Sequence, residues 1–191
     1  MAMAKGTNKN ALGKGKRREV DPIRTKAYIT KIKQLLQSQP RNLALFTLGI
    51  NSNLRSIDLV SLEVSDIEDG ILRLTERKTK KRRKIKLAPE VQSVLNAYLQ
   101  GRKEGPLFLS KRGVALRSFT VSALVKYWCK QAGISGHFAS HTLRKTFGYH
   151  KAAHFPMVYL THAFNHASEA MTRQYLDLDD QFQKIYTEHV L

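Results

Sequence analysis

Ser140-His141-Thr142-Leu143-Arg144, followed by Phe164-Asn165-His166 and, nine positions beyond that histidine, by Tyr175, is the stretch on which the reading of this chain turns. His141 and Arg144 stand three apart at the opening of a predicted helix. They share one face near its N-terminus, where unpaired N–H groups and the helix dipole favour an anion. Each piece alone is weak. Composition gives by chance ~0.5 His-x-x-Arg and ~0.3 His and Tyr pairs at this spacing, so either piece by itself is an amphipathic helix with a polar face.

Two upstream segments change the weight. Leu54-Arg55-Ser56-Ile57-Asp58-Leu59 places an arginine at the start of a short helix, with an acid three residues on. Taken alone this is a helix opening with a charge pair. Glu76 to Lys86 then carries eight basic residues among eleven between two strand-like runs. A hairpin this basic lies against an anion or repels itself.

In order, an arginine in a Leu-Arg-x-x-Asp-Leu helix start, a lysine hairpin, His-x-x-Arg, and a His and Tyr nine apart resemble the catalytic domain of the tyrosine recombinases, the phage integrase family. The likeness runs from about residue 45 to 177 and fills the positions Arg55, Lys78, His141, Arg144, His166 and Tyr175. Lys78 is preferred over Lys80 and Lys81 because Lys-Thr after the second strand resembles the family pattern. Two departures stand out. Asn165 precedes the histidine where the family often has glycine, and asparagine tolerates positive φ. The separate helical domain that usually precedes the catalytic one has no counterpart in the basic arm and single helix upstream.

The resemblance implies a site-specific recombinase or integrase that cleaves and rejoins DNA through a 3′-phosphotyrosyl link, with no metal, cofactor or ATP. Tyr175 would attack the scissile phosphate, and Arg55 and Arg144 would stabilise the transition state with forked guanidinium donors. Lys78 would protonate the leaving 5′ oxygen, His141 would move the proton of Tyr175, and His166 would hold a phosphate oxygen. Lys80, Lys81, Arg82, Arg83 and Lys84 would grip DNA, with Lys14, Lys16, Arg17 and Arg18 of the arm. Two rivals are a basic DNA-binding module without catalysis and a type IB topoisomerase-like enzyme that rejoins the same strands.

Composition agrees. A net charge of +18 in 191 residues calls for a polyanionic partner; the resemblance implies double-stranded DNA, bound by a homotetramer whose subunits are either monomers in solution or already associated. Cys129 is the sole cysteine, which excludes an internal disulfide, fits a reducing compartment and reads as a small core residue beside Trp128. His150 with His154, and His162 with His166, are four apart with His137 nearby; without His-Glu-x-x-His they read as packed or partly exposed side chains rather than a zinc site. Tyr149 and Tyr159 read as core or boundary residues. No apolar run reaches membrane-spanning length and no signal-peptide core is present, so a cytoplasmic, nucleoid-associated protein is expected.

The expected fold is α+β and mainly helical, a tyrosine recombinase catalytic-domain-like fold with a small three-stranded antiparallel sheet. Residues 1–20 form a disordered basic arm, 21–178 the catalytic domain and 179–191 a helical tail, which either packs on its own domain or docks on a neighbouring subunit. Asp21 and Pro22 predict a first helix that Pro40 stops, residues 42–50 a second and Leu54 to Leu62 a third. Strands follow around Val64–Ile67, Ile71–Leu74 and Ile85–Leu87. Further helices run from Val91 to Leu99, from an N-cap at Ser118 to Gly133, and over about 141–154, 156–164 and 169–176.

Overall fold

The structure, a computed structural model, describes residues 19–176 and residue 178. Its elements in chain order are α1 (Lys26–Leu35), α2 (Pro40–Ser52), α3 (Ser56–Leu59), a 3-10 turn (Val64–Asp66), β1 (Ile67–Glu68), β2 (Ile71–Thr75), β3 (Arg82–Lys86), α4 (Pro89–Leu99), α5 (Ser118–Gln131), α6 (Ser140–Ala152), α7 (Met157–Phe164) and α8 (Glu169–Leu176). The strands pair antiparallel in the order β1-β2-β3, with Leu72 opposite Ile85. Asp69 and Gly70, both at positive φ, make the tight turn between β1 and β2. The expected mainly helical fold with one small sheet is the fold observed.

The apolar run Leu43–Ile50 makes α2 the central helix, because Ala44, Leu45, Phe46, Leu48 and Ile50 are all buried and its faces meet both α4 and α6. Around it lies one large core that includes Ile23, Ile32, Leu72, Leu95, Phe108, Val125 and Trp128. Phe46 meets Trp128 edge to face, and Cys129 is buried beside it, its thiol pushed up to about 12 by burial. Helix α6 crosses α2 where a β-carbon on Gly49 would stand 2.6 Å from Leu143 Cδ1, so glycine is what allows the approach.

A second, smaller cluster of Leu160, Phe164, Leu176 and Leu178 joins α7 and α8 to α6. The last two helices are thus seated on the domain by few buried side chains, and α8 carries Tyr175.

Helix boundaries differ from expectation in four places. Asp21 does not cap α1, which begins at Lys26 after the extended Thr25. Its carboxylate accepts from the His137 backbone N–H at 2.7 Å, its own N–H donates to His137 O, and Ile23 N donates to Thr146 Oγ1. Residues 19–25 therefore strap α6, a use of Asp and Thr that local propensity does not show. Pro40 opens α2 rather than ending α1, which already stops at Leu35, and a first-turn proline forfeits no helical bond. Ser118 is the first residue of α5 rather than its cap, which is Arg117, and its hydroxyl instead meets Ser56 Oγ at 2.6 Å, tying α5 to α3. The third helix is one turn, Ser56–Leu59.

The arm bases Lys14, Lys16, Arg17 and Arg18 and the tail 179–191 lie outside the described residues. Within them, Glu19 O already contacts His137 Nδ1 at 2.9 Å and its carboxylate lies 3.7 Å from the buried Lys145 Nζ, so packing begins before residue 21.

Candidate active site

Asn53 takes the left-handed conformation, φ 56°, and ends α2, which turns the chain so that Arg55 sits at the N-cap of α3. Arg144 reaches the same corner from inside α6. Its Nη1 donates to Asn53 O at 2.7 Å and its Nη2 to Phe164 O at 2.9 Å, with the guanidinium 4.7 Å over the Phe164 ring. One side chain thus joins the ends of α2 and α7. Arg144 is only 3% exposed. Burial first, then the charge of Arg55, brings its pKa down to about 10, so it remains cationic at neutral pH.

Arg55 is held by a residue that sequence reasoning left without a role. Glu76, at the end of β2, is 1% exposed and accepts from Arg55 Nη1 at 2.8 Å, Arg83 Nη1 at 3.0 Å and Thr79 Oγ1 at 2.6 Å. Burial opposes its charge, but the hydrogen bonds of Thr79, Arg83 and Arg55 outweigh it and hold its carboxyl at about 2. The signal available was that Glu76 is the single acid in the basic run 76–86. Asp58 does a related job, its Oδ1 accepting from the Arg77 backbone N–H at 2.8 Å and fixing the hairpin base to α3.

His166 and Tyr175 meet edge to face with ring centroids 5.3 Å apart, and Phe164 lies 5.3 Å from each. Asn165, at φ 56°, is the left-handed C-cap of α7 that lets His166 turn back into the site, the conformation expected where the family has glycine. Buried Thr172 donates its hydroxyl to Ser168 O and stands 3.1 Å from His166 Nδ1, orienting the ring. Burial, then Arg144 and Arg55, hold the His166 pKa below its ordinary value. The Tyr175 hydroxyl is buried. Burial pushes the phenol above its ordinary range, while Arg144 and Arg55 pull it down.

Arg55, Arg144, His166 and Tyr175 are therefore brought together. His141 is exposed in the first turn of the same helix as Arg144, and Lys78 is exposed in the turn between β2 and β3. Lys81 extends from that turn so that its Nζ donates to Asn165 Oδ1, next to His166. Lys80, at φ 58°, Arg82 and Lys84 are exposed, as DNA-gripping residues would be. Arg83, expected among them, differs: its side chain is turned in to Glu76, because the buried carboxylate takes a second guanidinium beside that of Arg55.

His150 Nε2 contacts Ile23 O at 2.8 Å, and among the described residues no group of three or more His, Cys, Asp or Glu converges as a metal site. Tyr149 is half-buried under Arg24, as expected, whereas Tyr159 is 63% exposed because α7 turns it away from the small cluster. Chemically the corner offers two guanidinium groups, an imidazole and a phenol, with lysines on an adjoining hairpin. That set suits an in-line attack by the phenol on a phosphodiester whose developing charge the guanidiniums take.

Comparison with known proteins identifies the family. A model of the phage integrase family matches residues 22–181. The chain is 34% identical over 166 residues to a probable integrase/recombinase, YoeC, of Bacillus subtilis strain 168, covering 84% of this chain and 91% of that one. It is 31% identical over 174 residues to tyrosine recombinase XerC of Caldanaerobacter subterraneus subsp. tengcongensis, covering 83% of this chain and about half, 49%, of that relative's length. A crystal structure of a lambda integrase dimer bound to a COC′ core site superposes with a TM-score of 0.68 at 25% identity, over 85% of this chain and 49% of that one. With the matched region spanning the whole of the corner just described, the chain belongs to the phage integrase family, the tyrosine recombinases.

Proposed function

We propose that this chain is a site-specific DNA recombinase that cuts and rejoins strands through a 3′-phosphotyrosyl intermediate, with Tyr175 as nucleophile. The observation that carries this is the buried Tyr175 hydroxyl lying beside His166 and within the field of both Arg144 and Arg55. The phenol oxygen attacks phosphorus as the bond to the 5′ oxygen breaks, and the forked donors of Arg55 and Arg144 take the charge on the non-bridging oxygens. His141 receives the phenolic proton, His166 holds a phosphate oxygen, and Lys78 protonates the departing 5′ oxygen. The arriving 5′ hydroxyl of another strand then reverses these steps, so the phosphodiester energy is kept and neither ATP nor metal enters.

Double-stranded DNA is the substrate, held by Lys80, Lys81, Arg82 and Lys84 with Lys14, Lys16, Arg17 and Arg18 of the arm, and the net charge of +18 supports this. Four copies would assemble on two duplexes. Phe155, Val158, Tyr159 and Met171 leave an apolar surface on α7, α8 and the turn before them, suited to contact with a neighbouring copy. No helix among the described residues is long and apolar enough to cross a membrane, and a nucleoid-associated, cytoplasmic location follows from the substrate.

The test is incubation with a nicked suicide duplex followed by denaturing electrophoresis. A covalent protein-DNA band is expected from the native protein and none from Tyr175→Phe. Salt-sensitive binding with no covalent band would mean a binding module, and relaxation of supercoiled DNA without strand exchange would mean a topoisomerase.

A further inference from the structure

Glu76 is buried where burial of a lone carboxylate is costly, among cations that the site collects for a phosphate. Its oxygens take three side-chain donors, from Arg55, Arg83 and Thr79. Its backbone is equally engaged, with its N–H donating to Lys81 O at 2.9 Å and its carbonyl accepting from Lys80 N at 2.9 Å. The residue therefore contacts the Arg55 guanidinium and, at Thr79, Lys80 and Lys81, the turn that also carries Lys78. The charge of Arg55 reaches the buried Arg144, and like charges so placed drive a flexible arginine outward unless something holds it. Bonding through Nη1 alone leaves Arg55 further N–H donors for another partner. A structural tie needs no carboxylate here, because well-packed apolar residues commonly serve stability as well as a buried ion pair.

We propose that Glu76 is a positioning residue for strand cleavage: its carboxylate fixes the Arg55 guanidinium against repulsion from Arg144 and, through Thr79 and Arg83, ties the lysine-bearing turn to that guanidinium. The phosphate-binding arginine and the turn carrying the general acid thus adopt one geometry before DNA arrives. This rests on the reading of Arg55 as a phosphate ligand.

Single-turnover cleavage of the nicked suicide duplex by the full chain is compared for native protein, Glu76→Gln, Glu76→Asp, Arg55→Ala and the Glu76→Gln/Arg55→Ala double variant, with melting curves to confirm folding. Glu76→Gln is expected to slow cleavage by about 10- to 100-fold while leaving DNA affinity within about threefold, and the double variant to cleave no more slowly than Arg55→Ala, because one residue acts through the other. Glu76→Asp, which keeps the charge but withdraws it by one methylene, is expected to fall between and decides the matter if Glu76→Gln does not fold. Additive losses, a loss confined to DNA affinity, or a native rate in folded Glu76→Gln would overturn the proposal. If folded native protein forms no covalent product, the functional reading fails separately. Glu76 is then judged without DNA by side-chain NMR: the Arg55 guanidinium protons should exchange slowly in native protein and fast in Glu76→Gln, and unchanged exchange refutes the positioning role.

Discussion

Gly148 on α6 and Leu176 on α8 approach so closely that a β-carbon on the glycine would stand 2.3 Å from Leu176 Cδ2, with Phe164 Cζ at 2.7 Å. This bare spot is what seats α7 and α8 on α6, and Tyr175 is the residue next to Leu176. Gly148→Ala should therefore push the nucleophile's helix outward while the large core around α2 stays in place. The expected result is a loss of covalent DNA attachment of about 10- to 100-fold with a stability loss of only about 1–3 kcal/mol. Suicide-duplex cleavage and denaturant unfolding measure the two, and native cleavage would show that α8 is not held by this contact.

The corner where Arg55, Arg144, His166 and Tyr175 meet was legible because signals that are weak singly fall in one fixed order along the chain. Arg55 opens a helix after a turn, His141 and Arg144 share a helix start, and His166 and Tyr175 keep a fixed separation. The sheet was legible from Asp69-Gly70 and the alternation of Leu72, Arg73 and Leu74. Residues that act across long separations were not. Asp21 reads as a helix cap until His137, 116 positions away, is folded against it. Arg83 reads as one more DNA-facing base until Glu76 is seen to be buried beneath it. Thr172 gives no sign in sequence of orienting His166, because a threonine inside a helix is ordinarily just a threonine.

Asn165 holds φ 56° at the end of α7, a conformation glycine adopts freely and other residues reach at a cost of about 1 kcal/mol. Asn165→Gly should leave thermal stability within about 0.5 kcal/mol, whereas Asn165→Ala should lose about 1 kcal/mol. Both remove the side chain that Lys81 reaches. Equal stability of the two variants in chemical denaturation would show that backbone strain is not what selects asparagine here.

Acid should expose the Glu76 network. Its carboxyl is held at about 2 in the folded protein against an ordinary 4.5, so the folded pKa is the lower one. The stabilisation is present above pH 4.5 and disappears as pH falls toward 2. Glu76→Gln should be less stable than native protein at neutral pH, by roughly 1–3 kcal/mol for the charged donors left unmatched, and the gap should narrow steadily across that window. Urea unfolding at a series of pH values measures it; a gap independent of pH would mean that the carboxylate's charge contributes nothing.

Tyr175 provides the test at the alkaline end, with the opposite sign. Burial places its phenol above its ordinary value despite Arg144 and Arg55, so the protonated form is favoured by folding. That contribution is intact below the unfolded value of about 10 and is lost as pH rises through the folded one. Difference absorbance near ~295 nm, the phenolate band, between native protein and Tyr175→Phe should show one tyrosine ionising later than the same residue in urea. Native protein should also lose stability relative to Tyr175→Phe as pH climbs past that point. Arg55→Ala, by removing one of the charges that pull the phenol down, should delay ionisation further. An earlier ionisation in that variant would mean that Arg55 does not act on the nucleophile, and the assignment of these two residues to one phosphate would fall with it.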